Sequence, residues 1–314
     1  MSARVSVVIP TLDDYELLEA HLPLLLEEVE ARGADDEVTL VDDTGADLLA
    51  AWVAERFPGR VRVMVRSENG GFARALLTGA RVGTADYLLA LNPDVRVRRG
   101  FLQPLVDALE APEVFAVSPR VLLGGDPRRV ETHQRMAVAE GRLRSVPLAP
   151  DPDDLAPRPI PFPLGGAMLL RRDAFVAAGG FDSLFEPFYF EDTDLGLSAW
   201  RQGLRILEVP ASVVEHHHRG TIGPRVPEEL VRAAIERNRL LLHWKHLDSR
   251  PAALEHLRSL HRDAFDAAMG DRREELVWLA LALESLEPAS ASRRSVTPVV
   301  RTLAESLEAS DPSR

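Results

Sequence analysis

The stretch VSVVIPTLDD at residues 5–14 determines the expected fold, because a buried-type apolar run stops abruptly at polar residues. The run at 5–9 is typical of a strand covered on both faces, and the apolar spacing of 14–32 indicates a helix that ends at Gly33. Further strands are predicted at 37–41, 61–65, 87–91 and 114–118, with helices at 46–57, 72–82 and 100–110. This alternation predicts right-handed βαβ units and a mostly parallel sheet flanked by helices, which is an α/β fold.

The second half of the chain continues this pattern and then becomes helical. Strands are predicted at 166–171, 205–209 and 212–215, and helices at 173–178, 192–202, 227–247, 251–268, 271–286 and 298–309. We therefore predict a catalytic domain over 1–226 and a helical region over 227–314. Residues 147–163 contain seven prolines, so this segment is either a connector or, as its position between apolar elements favours, a substrate-facing loop.

Composition excludes several classes of protein. The chain has 314 residues, no cysteine and a net charge of −12, with 27% charged and 46% hydrophobic residues. These values fit a globular chain and exclude a disulfide scaffold, a thiol nucleophile and thiolate metal sites. The acidity disfavours nucleic acid as a partner. Residues 227–314 hold 15 acidic and 13 basic residues, so a balance of −10 lies in 1–226.

Targeting signals are not expected in this sequence. Met1 leads directly into the first apolar strand without a basic segment, and no run approaches the roughly 18 apolar residues of a membrane-spanning helix. The predicted compartment is the cytoplasm. The near-neutral tail lacks a face rich in Lys and Arg, so its helices are expected to pack on the first domain, with dimerisation or membrane contact as alternatives.

Polar residues follow the predicted strands where ligands bind in parallel sheets. Asp42, Asn92 and Asp94 stand at carboxyl ends of strands, although each alone is also an ordinary turn former. Asn69-Gly70-Gly71 precedes a helix, where glycines let a ligand approach and can direct N–H groups at phosphate. The dinucleotide motif GxGxxG and the phosphate-loop motif GxxxxGK[ST] are both absent, which disfavours Rossmann dehydrogenases and P-loop enzymes.

Two further clusters carry groups that suit acid–base or metal chemistry. Glu191-Asp192 opens a helix, where acidic residues also serve as caps and where the helix dipole is expected to lower a carboxyl pKa. His216-His217-His218 ends a strand, so that 216 and 218 share a face, although a histidine run is also found on plain surfaces. Asp194 is expected to be a solvated acid of the first helical turn.

Seven motifs together resemble the family 2 glycosyltransferases of GT-A fold, and most closely their rhamnosyltransferase-like branch. In chain order they are VSVVIPTLDD, VTLVDDTG, SENGGFARALLTGA, DYLLALNPDV, GGAMLLRRDAFVAAGGFD, FYFEDTDLGLSAWRQG and VVEHHHRGT. They cover roughly residues 5–245 in the family's order. The resemblance implies a GT-A sheet with a C-terminal helical extension.

The resemblance also implies roles for individual residues. The nucleotide-sugar site would comprise Pro10, Thr11, Asp13, Asp42, Asn69, Gly70, Gly71, Arg74, Asn92, Asp94 and Gly166. Asn92-Pro93-Asp94 replaces the family's DXD motif, so Asp94 becomes the direct ligand of Mg²⁺ or Mn²⁺ and Asn92 a sugar contact. His216 would complete the metal site, with His218 in reserve. Arg219 and Thr221 would close on phosphate.

The implied activity is inverting sugar transfer by single displacement, with Asp192 as the general base and Glu191 contacting acceptor or sugar. The implied donor is dTDP-rhamnose, with UDP-sugars as alternatives. The acceptor would be a glycan, a lipid-linked saccharide or a small metabolite.

Two other functions remain open at this stage. A nucleotide-sugar-binding protein without catalysis is motivated by the missing first carboxylate of DXD. A sugar nucleotidyltransferase shares the sheet architecture but needs a basic loop after the first strand, where this chain has Thr11-Leu12-Asp13-Asp14. A homodimer and a peripheral membrane contact also remain open.

Overall fold

The computed structural model describes residues 3–217, 226–270, 272 and 276–313, and its first part alternates strands with helices. The elements are β1 (Val5–Thr11), α1 (Tyr15–Arg32), β2 (Glu37–Asp42), α2 (Leu49–Arg56), β3 (Arg62–Val65), α3 (Gly71–Val82), β4 (Tyr87–Leu91), β5 (Val95–Val97), α4 (Leu102–Leu109) and β6 (Val114–Leu123). Every residue of β1 is buried, as expected of a strand covered on both faces. Gly33 ends α1 with a φ of 61°, in the left-handed region that glycine adopts freely.

The second part adds a hairpin and the strands that close the sheet. The elements are β7 (Gln134–Ala139), β8 (Arg142–Pro147), β9 (Arg158–Pro159), β10 (Ala167–Arg171), α5 (Arg172–Ala177), a 3₁₀ turn (Ser183–Phe185), α6 (Glu191–Arg201) and β11 (Arg205–His216). The two strands predicted at 205–209 and 212–215 form the single strand β11. Its pairing with β6 shifts register between Val209 and Val213, where Pro210 cannot donate a ladder hydrogen bond.

The described sheet has nine strands, ordered β3-β2-β1-β4-β10-β6-β11-β5, with β9 on β11. Six of them run parallel, while β10, β5 and β9 run the opposite way. The mostly parallel α/β prediction is confirmed. The antiparallel β10 has a consequence for the site, because β10 begins at the sheet edge where β4 ends.

The C-terminal helices pack on the rest of the chain. They are α7 (Glu228–His246), α8 (Arg250–Met269), α9 (Val277–Glu284), α10 (Leu286–Ser295) and α11 (Leu303–Ala309). Phe185 and Leu197 share a buried cluster with Leu241 and Leu303, so one apolar core spans the predicted boundary. The boundary at 226/227 stays a prediction. Part of the helix predicted over 271–286 falls on residue 271 and residues 273–275, which lie outside the described residues.

A buried cluster of charged and polar side chains links α7 to α6. The Nζ of Lys245 lies 2.7 Å from Asp182 Oδ2 and 2.8 Å from Asp194 Oδ2, and His246 Nε2 lies 2.7 Å from Asp194 Oδ1. The expectation that Asp194 is solvated was wrong, because α7 covers this face of α6 and leaves Asp194 only 4% exposed. Burial opposes the charge of Lys245, but the two carboxylates outweigh it and raise its pKa.

None of the described helices is long and apolar enough to cross a membrane. Apolar side chains are nonetheless exposed on α8, where Leu254, Leu257, Phe265 and Met269 are at least 44% accessible. Nothing in the fold tests whether this face meets a membrane or a second copy, and both stay predictions.

Replacing Lys245 by methionine is expected to lower the free energy of unfolding by about 3–5 kcal/mol, because it leaves two carboxylates near each other without a cation. Urea denaturation monitored by circular dichroism measures this value. The control is Arg99→Ala, which removes the ion pair between Arg99 and Glu27, whose side chains are 75% and 52% exposed, and should cost under about 1 kcal/mol. Equal effects of the two variants would contradict the importance of the buried cluster.

Candidate active site

The turn after β4 is held against the start of β10. The backbone N–H of Asn92 donates to the carbonyl oxygen of Gly166 over 2.9 Å. A Cβ on Gly166 would lie 2.7 Å from Asn92 Nδ2, so a larger residue would have to displace the Asn92 side chain. Asn92 and Gly166, which the sequence assigned to the nucleotide-sugar site, are therefore neighbours.

The same glycine turn reaches the acidic pair at the start of α6. The N–H of Gly165 donates to Asp192 Oδ2 over 3.0 Å. The other oxygen, Oδ1, accepts from the N–H and the hydroxyl of Thr193 at 2.6 and 3.2 Å. Two consecutive glycines thus connect the Asn92 turn to the carboxylate of Asp192 through backbone hydrogen bonds.

The acidity of Glu191 and Asp192 differs from the expectation for a helix N-terminus. Burial, and then the charge of Asp192, raises the pKa of Glu191 to about 8. Burial also raises the pKa of Asp192, although the hydrogen bonds from Gly165 and Thr193 oppose this shift. The expected lowering by the helix was wrong because desolvation outweighs the dipole at this site. Proton-accepting chemistry near neutral pH is favoured by such raised values.

The segment before α6 has an unusual backbone. Tyr189 and Phe190 both have a φ of 74°, although neither is glycine. Such residues cost on the order of 1–3 kcal/mol each and persist only where surrounding contacts hold them. The sharp turn places Glu191 and Asp192 at the first two positions of the helix.

A second carboxylate–histidine cluster lies at the end of β11. His216 Nε2 is 3.4 Å from Asp94 Oδ2, and His216 Nδ1 is 2.6 Å from Glu131 Oε2. Burial opposes a charge on His216, but hydrogen bonds to Asp94 and Glu131 outweigh it and raise its pKa to about 9. Asp94 and His216 therefore meet as the sequence predicted, and Glu131 joins them.

A divalent ion fits this cluster by its donor atoms. Carboxylate oxygen and imidazole nitrogen suit Mn²⁺ and Mg²⁺, and donors 3.4 Å apart are within reach of one ion with bonds of about 2.1 Å. Glu131 would then orient the ring from its other nitrogen, as carboxylates commonly do for metal-binding histidines. Among the described residues no group of three or more acidic or histidine side chains is arranged to hold a metal alone.

His218, the reserve ligand, and the phosphate-closing residues Arg219 and Thr221 lie outside the described residues. Their predicted roles therefore stay predictions.

The residues predicted to form the nucleotide half of the site lie at the ends of β1 and β2. Asp42 is 2% exposed and accepts from the N–H and hydroxyl of Thr44 through Oδ1, at 2.9 and 2.6 Å. Burial and the charges of Asp13 and Asp42 raise the pKa of Tyr15. Thr11 and Pro10 are buried at the end of β1, where the Thr11 hydroxyl donates to Asp14.

The glycine loop before α3 binds a protein carboxylate. Gly70 and Gly71 donate their N–H groups to Asp43 over 2.7–3.1 Å, and Arg66 Nε lies 2.6 Å from the same carboxylate. The expectation that these amides point at phosphate was wrong in this structure, because Asp43 occupies the positive end of the helix. Asn69 also turns inward, and its Oδ1 accepts from Gly71 N at 3.1 Å.

Arg74 also has a protein partner. Its guanidinium forms a bidentate pair with Glu186 at 2.7 and 2.6 Å. This pair links α3 to the segment that precedes α6. Arg74 is thus a bridge between the nucleotide half and the acidic pair.

Three contributors to the site were missed by reasoning from sequence. Glu131 belongs to none of the quoted motifs, and Asp43 received no role beside Asp42. Asn238 on α7 also received no role, although it contacts the loop before α6. The only signal for Asn238 was an amide inside an otherwise apolar helical face.

Comparisons with known proteins agree with this geometry. Residues 6–177, more than half of the chain, match the family model described as glycosyl transferase family 2. The chain belongs to glycosyl transferase family 2. Its resemblance to that family and its GT-A fold are confirmed.

Curated relatives cover only part of this sequence. N-acetylgalactosaminyltransferase 4 of Drosophila melanogaster is 24% identical over 60% of this chain and 31% of its own length. An N-acetylglucosaminyl-diphospho-decaprenol L-rhamnosyltransferase of Mycobacterium tuberculosis is 28% identical over 59% of this chain and 68% of its own length. The chain thus spans about a third of the first relative.

Solved structures show the same fold at low identity. GalNAc-T7 with UDP, GalNAc and Mn²⁺ superposes with a TM-score of 0.70 at 18% identity, covering 98% of this chain and 56% of that protein. The mannosyltransferase PcManGT of Pyrobaculum calidifontis with GDP-Man and Mn²⁺ gives 0.55 at 19% identity, covering 99% and 87%.

The raised pKa of Glu191 predicts a pH-dependent loss of stability. Its pKa is about 8 in the folded chain against an ordinary 4.5, so the associated stability is fully present below pH 4.5 and lost as pH rises towards 8. Relative to Glu191→Gln, the native chain should lose up to about 1.4 kcal/mol per pH unit in this window. Chemical denaturation of both proteins at pH 5, 6, 7 and 8 measures the difference. Parallel curves would contradict the burial of an ionisable Glu191.

Proposed function

We propose that this chain is an inverting glycosyltransferase that moves a sugar from a nucleoside-diphosphate donor to an acceptor hydroxyl. The observation that carries the proposal is the Gly165–Gly166 turn, which binds Asn92 on one side and Asp192 on the other. A donor sugar at Asn92 and a base at Asp192 would then lie in one cleft. Bringing both substrates together in this way removes much of the entropic barrier to transfer.

The donor's nucleoside is assigned to the edge formed by β1 and β2. Asp42 and Asp13 can accept hydrogen bonds from base N–H or ribose hydroxyl groups. The Thr44 contacts to Asp42 both engage Oδ1. The donor is proposed to be dTDP-rhamnose, with UDP-sugars as alternatives. The motif resemblance and the named rhamnosyltransferase among the relatives support this choice.

Asp94 and His216 are the residues that would hold Mg²⁺ or Mn²⁺. When bound, such an ion neutralises the charge that develops on the leaving diphosphate. Asn92 stands where the family has another carboxylate, and its amide next to Gly166 is proposed to contact the sugar.

Asp192 is proposed to act as the base. It takes the proton of the acceptor hydroxyl while that oxygen bonds to the anomeric carbon and the bond from this carbon to the diphosphate breaks. Gly165 and Thr193 hold its two oxygens in place. Glu191, whose pKa is raised to about 8, keeps a proton at neutral pH and is proposed to donate a hydrogen bond to acceptor or sugar.

The acceptor is proposed to be a glycan, a lipid-linked saccharide or a small metabolite. Phe181 and Phe185 are buried and belong to the core, whereas Tyr189 is 39% exposed beside Glu191. Tyr189 can therefore stack on an apolar sugar face.

A donor screen with a base variant tests the proposal. With Mn²⁺, one nucleotide sugar of a panel that includes dTDP-rhamnose and UDP-sugars should raise the melting temperature and be consumed. Asp192→Asn should retain this thermal shift and lose about 100-fold or more in turnover, because it removes the proton acceptor but keeps the shape. The readouts are differential scanning fluorimetry and release of nucleoside diphosphate.

Each other result identifies a different function. Binding without turnover by the native chain, across donors and sugar acceptors, would establish a non-catalytic nucleotide-sugar-binding protein. Pyrophosphate release from a nucleoside triphosphate and a sugar phosphate would establish a nucleotidyltransferase. Full turnover by Asp192→Asn together with loss of turnover in Glu191→Gln would assign the base to Glu191 instead of Asp192.

The metal assignment predicts an effect of Glu131. Because Glu131 contacts His216 Nδ1 at 2.6 Å, Glu131→Gln should release the ring and weaken Mn²⁺ binding by about 10- to 100-fold. Titration of Mn²⁺ followed by electron paramagnetic resonance, with nucleoside diphosphate present, measures this affinity.

Glu215 offers a matched control for Glu131. Their side chains are 17% and 18% exposed, but Glu215 accepts from Arg98 and does not contact the His216 ring. Glu215→Gln should leave Mn²⁺ affinity close to the native value. Equal affinities for native chain and Glu131→Gln would refute the orienting role of Glu131.

A further inference from the structure

Asn238 is a fully buried amide on α7 that faces the loop before the acidic pair. Its Nδ2 donates to the carbonyl oxygens of Phe185, Phe188 and Tyr189 at 2.7, 2.9 and 3.0 Å. Its exposed fraction is zero. A single side chain from the C-terminal helices thus binds three backbone positions within five residues.

The orientation of this amide is set by its neighbour. Arg237 Nη1 donates to Asn238 Oδ1 at 2.7 Å and to the carbonyl oxygen of Glu186 at 3.0 Å. Since the guanidinium only donates, it fixes Oδ1 towards itself and turns the NH₂ group towards the loop. We define the loop as residues 186–190. Arg237 and Asn238 of α7 together donate hydrogen bonds to four carbonyl oxygens, three in this loop and one in the preceding residue Phe185.

The loop needs such an external partner. Tyr189 and Phe190 have left-handed backbone conformations, so the carbonyls just before them have no regular ladder to join. The helix begins only at Glu191, where Asp194 N–H donates to the Phe190 carbonyl at 2.9 Å. The backbone conformations of Tyr189 and Phe190 therefore determine the direction in which α6 leaves the loop and presents Glu191 and Asp192.

We propose that Asn238 is a positioning residue for Glu191 and Asp192, acting through the backbone of Tyr189 and Phe190. The inference rests on the proposed transferase function. Asn238 is buried beneath the loop and acts only through it. Its amide holds the left-handed turn, so the acceptor's proton meets a carboxylate already in place.

A second anchor holds the loop from the opposite side. Arg74 on α3 binds the Glu186 side chain through two hydrogen bonds. This pair is more exposed, and its contribution to the loop is correspondingly weaker than that of the buried amide. Helix α3 and helix α7 therefore both bind the loop at residues 186–190.

The test uses two substitutions of Asn238. Asn238→Asp keeps the shape but sets a carboxylate oxygen against three carbonyls, and Asn238→Ala removes the donors. Both should lower kcat by about 10- to 100-fold, since small displacements of a reacting group have effects of this size. The dissociation constant of the nucleotide-sugar donor should stay within about threefold, since the residues that bind it lie elsewhere.

Hydrogen exchange supplies a readout that does not need activity. Amides of residues 186–194 should exchange faster in both variants, while amides of β1 and β4 keep the native rate. Leu241→Ala is the control, because it opens the same buried region of α7 without removing any of these hydrogen bonds. It should lower stability while leaving kcat and exchange at 186–194 near native values.

Any one of three results would overturn the inference. The first is native kcat in Asn238→Asp, and the second is native exchange at 186–194 in the Asn238 variants. The third is a loss of kcat in Leu241→Ala as large as that in Asn238→Ala, which would mean that general destabilisation explains the effect. A native chain without transfer activity would refute the proposed function, and unchanged exchange in the variants would refute the loop-holding role by itself.

Discussion

One buried ammonium group determines how the two halves of this protein fit together. Lys245, the only lysine in the chain, lies between Asp182 and Asp194, which are the residues that begin the 3₁₀ turn and occupy the first turn of α6. The loop that presents the acidic pair lies between these two carboxylates. A compact ammonium can contact both carboxylates at once, whereas the planar guanidinium of arginine has a fixed fork geometry. The C-terminal helices are therefore part of the framework of the active site.

The net charge of the chain does not show which of its acidic residues already have partners within the protein. A net charge of −10 in residues 1–226 predicts an acidic cleft that repels a diphosphate unless a cation is present. Several of these acids are occupied within the protein: Asp43 accepts two amides and Arg66, and Asp194 accepts Lys245. The acids proposed to meet a ligand are Asp13 and Asp42 at the nucleoside edge, Asp94, and the Glu191–Asp192 pair.

The sequence predicted the parallel framework because apolar runs and glycine stops are local signals. The resemblance to family 2 glycosyltransferases also predicted that Asp94 and His216 would meet, since it assigns both residues to one metal site. The sequence did not predict the antiparallel β10, because strand direction depends on the path of the proline-rich connection and leaves no mark in the strand itself. Glu131 and Asn238 were missed for a related reason, since the partner of Glu131 lies 85 positions away and the partners of Asn238 lie 49 or more positions away.

The antiparallel direction of β10 explains how a sheet of this kind can serve two substrates. Had β10 run parallel to β4, its first residues would lie at the opposite edge of the sheet, far from Asn92. Running the other way, it starts beside the end of β4, and the turn that precedes it offers Gly166 O to Asn92 and Gly165 N to Asp192. The first contact joins two backbone groups, and the second joins a backbone amide to the Asp192 carboxylate, so the glycine turn connects the Asn92 turn to the acidic pair. The remaining freedom lies in the direction of the loop before α6, and that is the part of the site which α7 constrains.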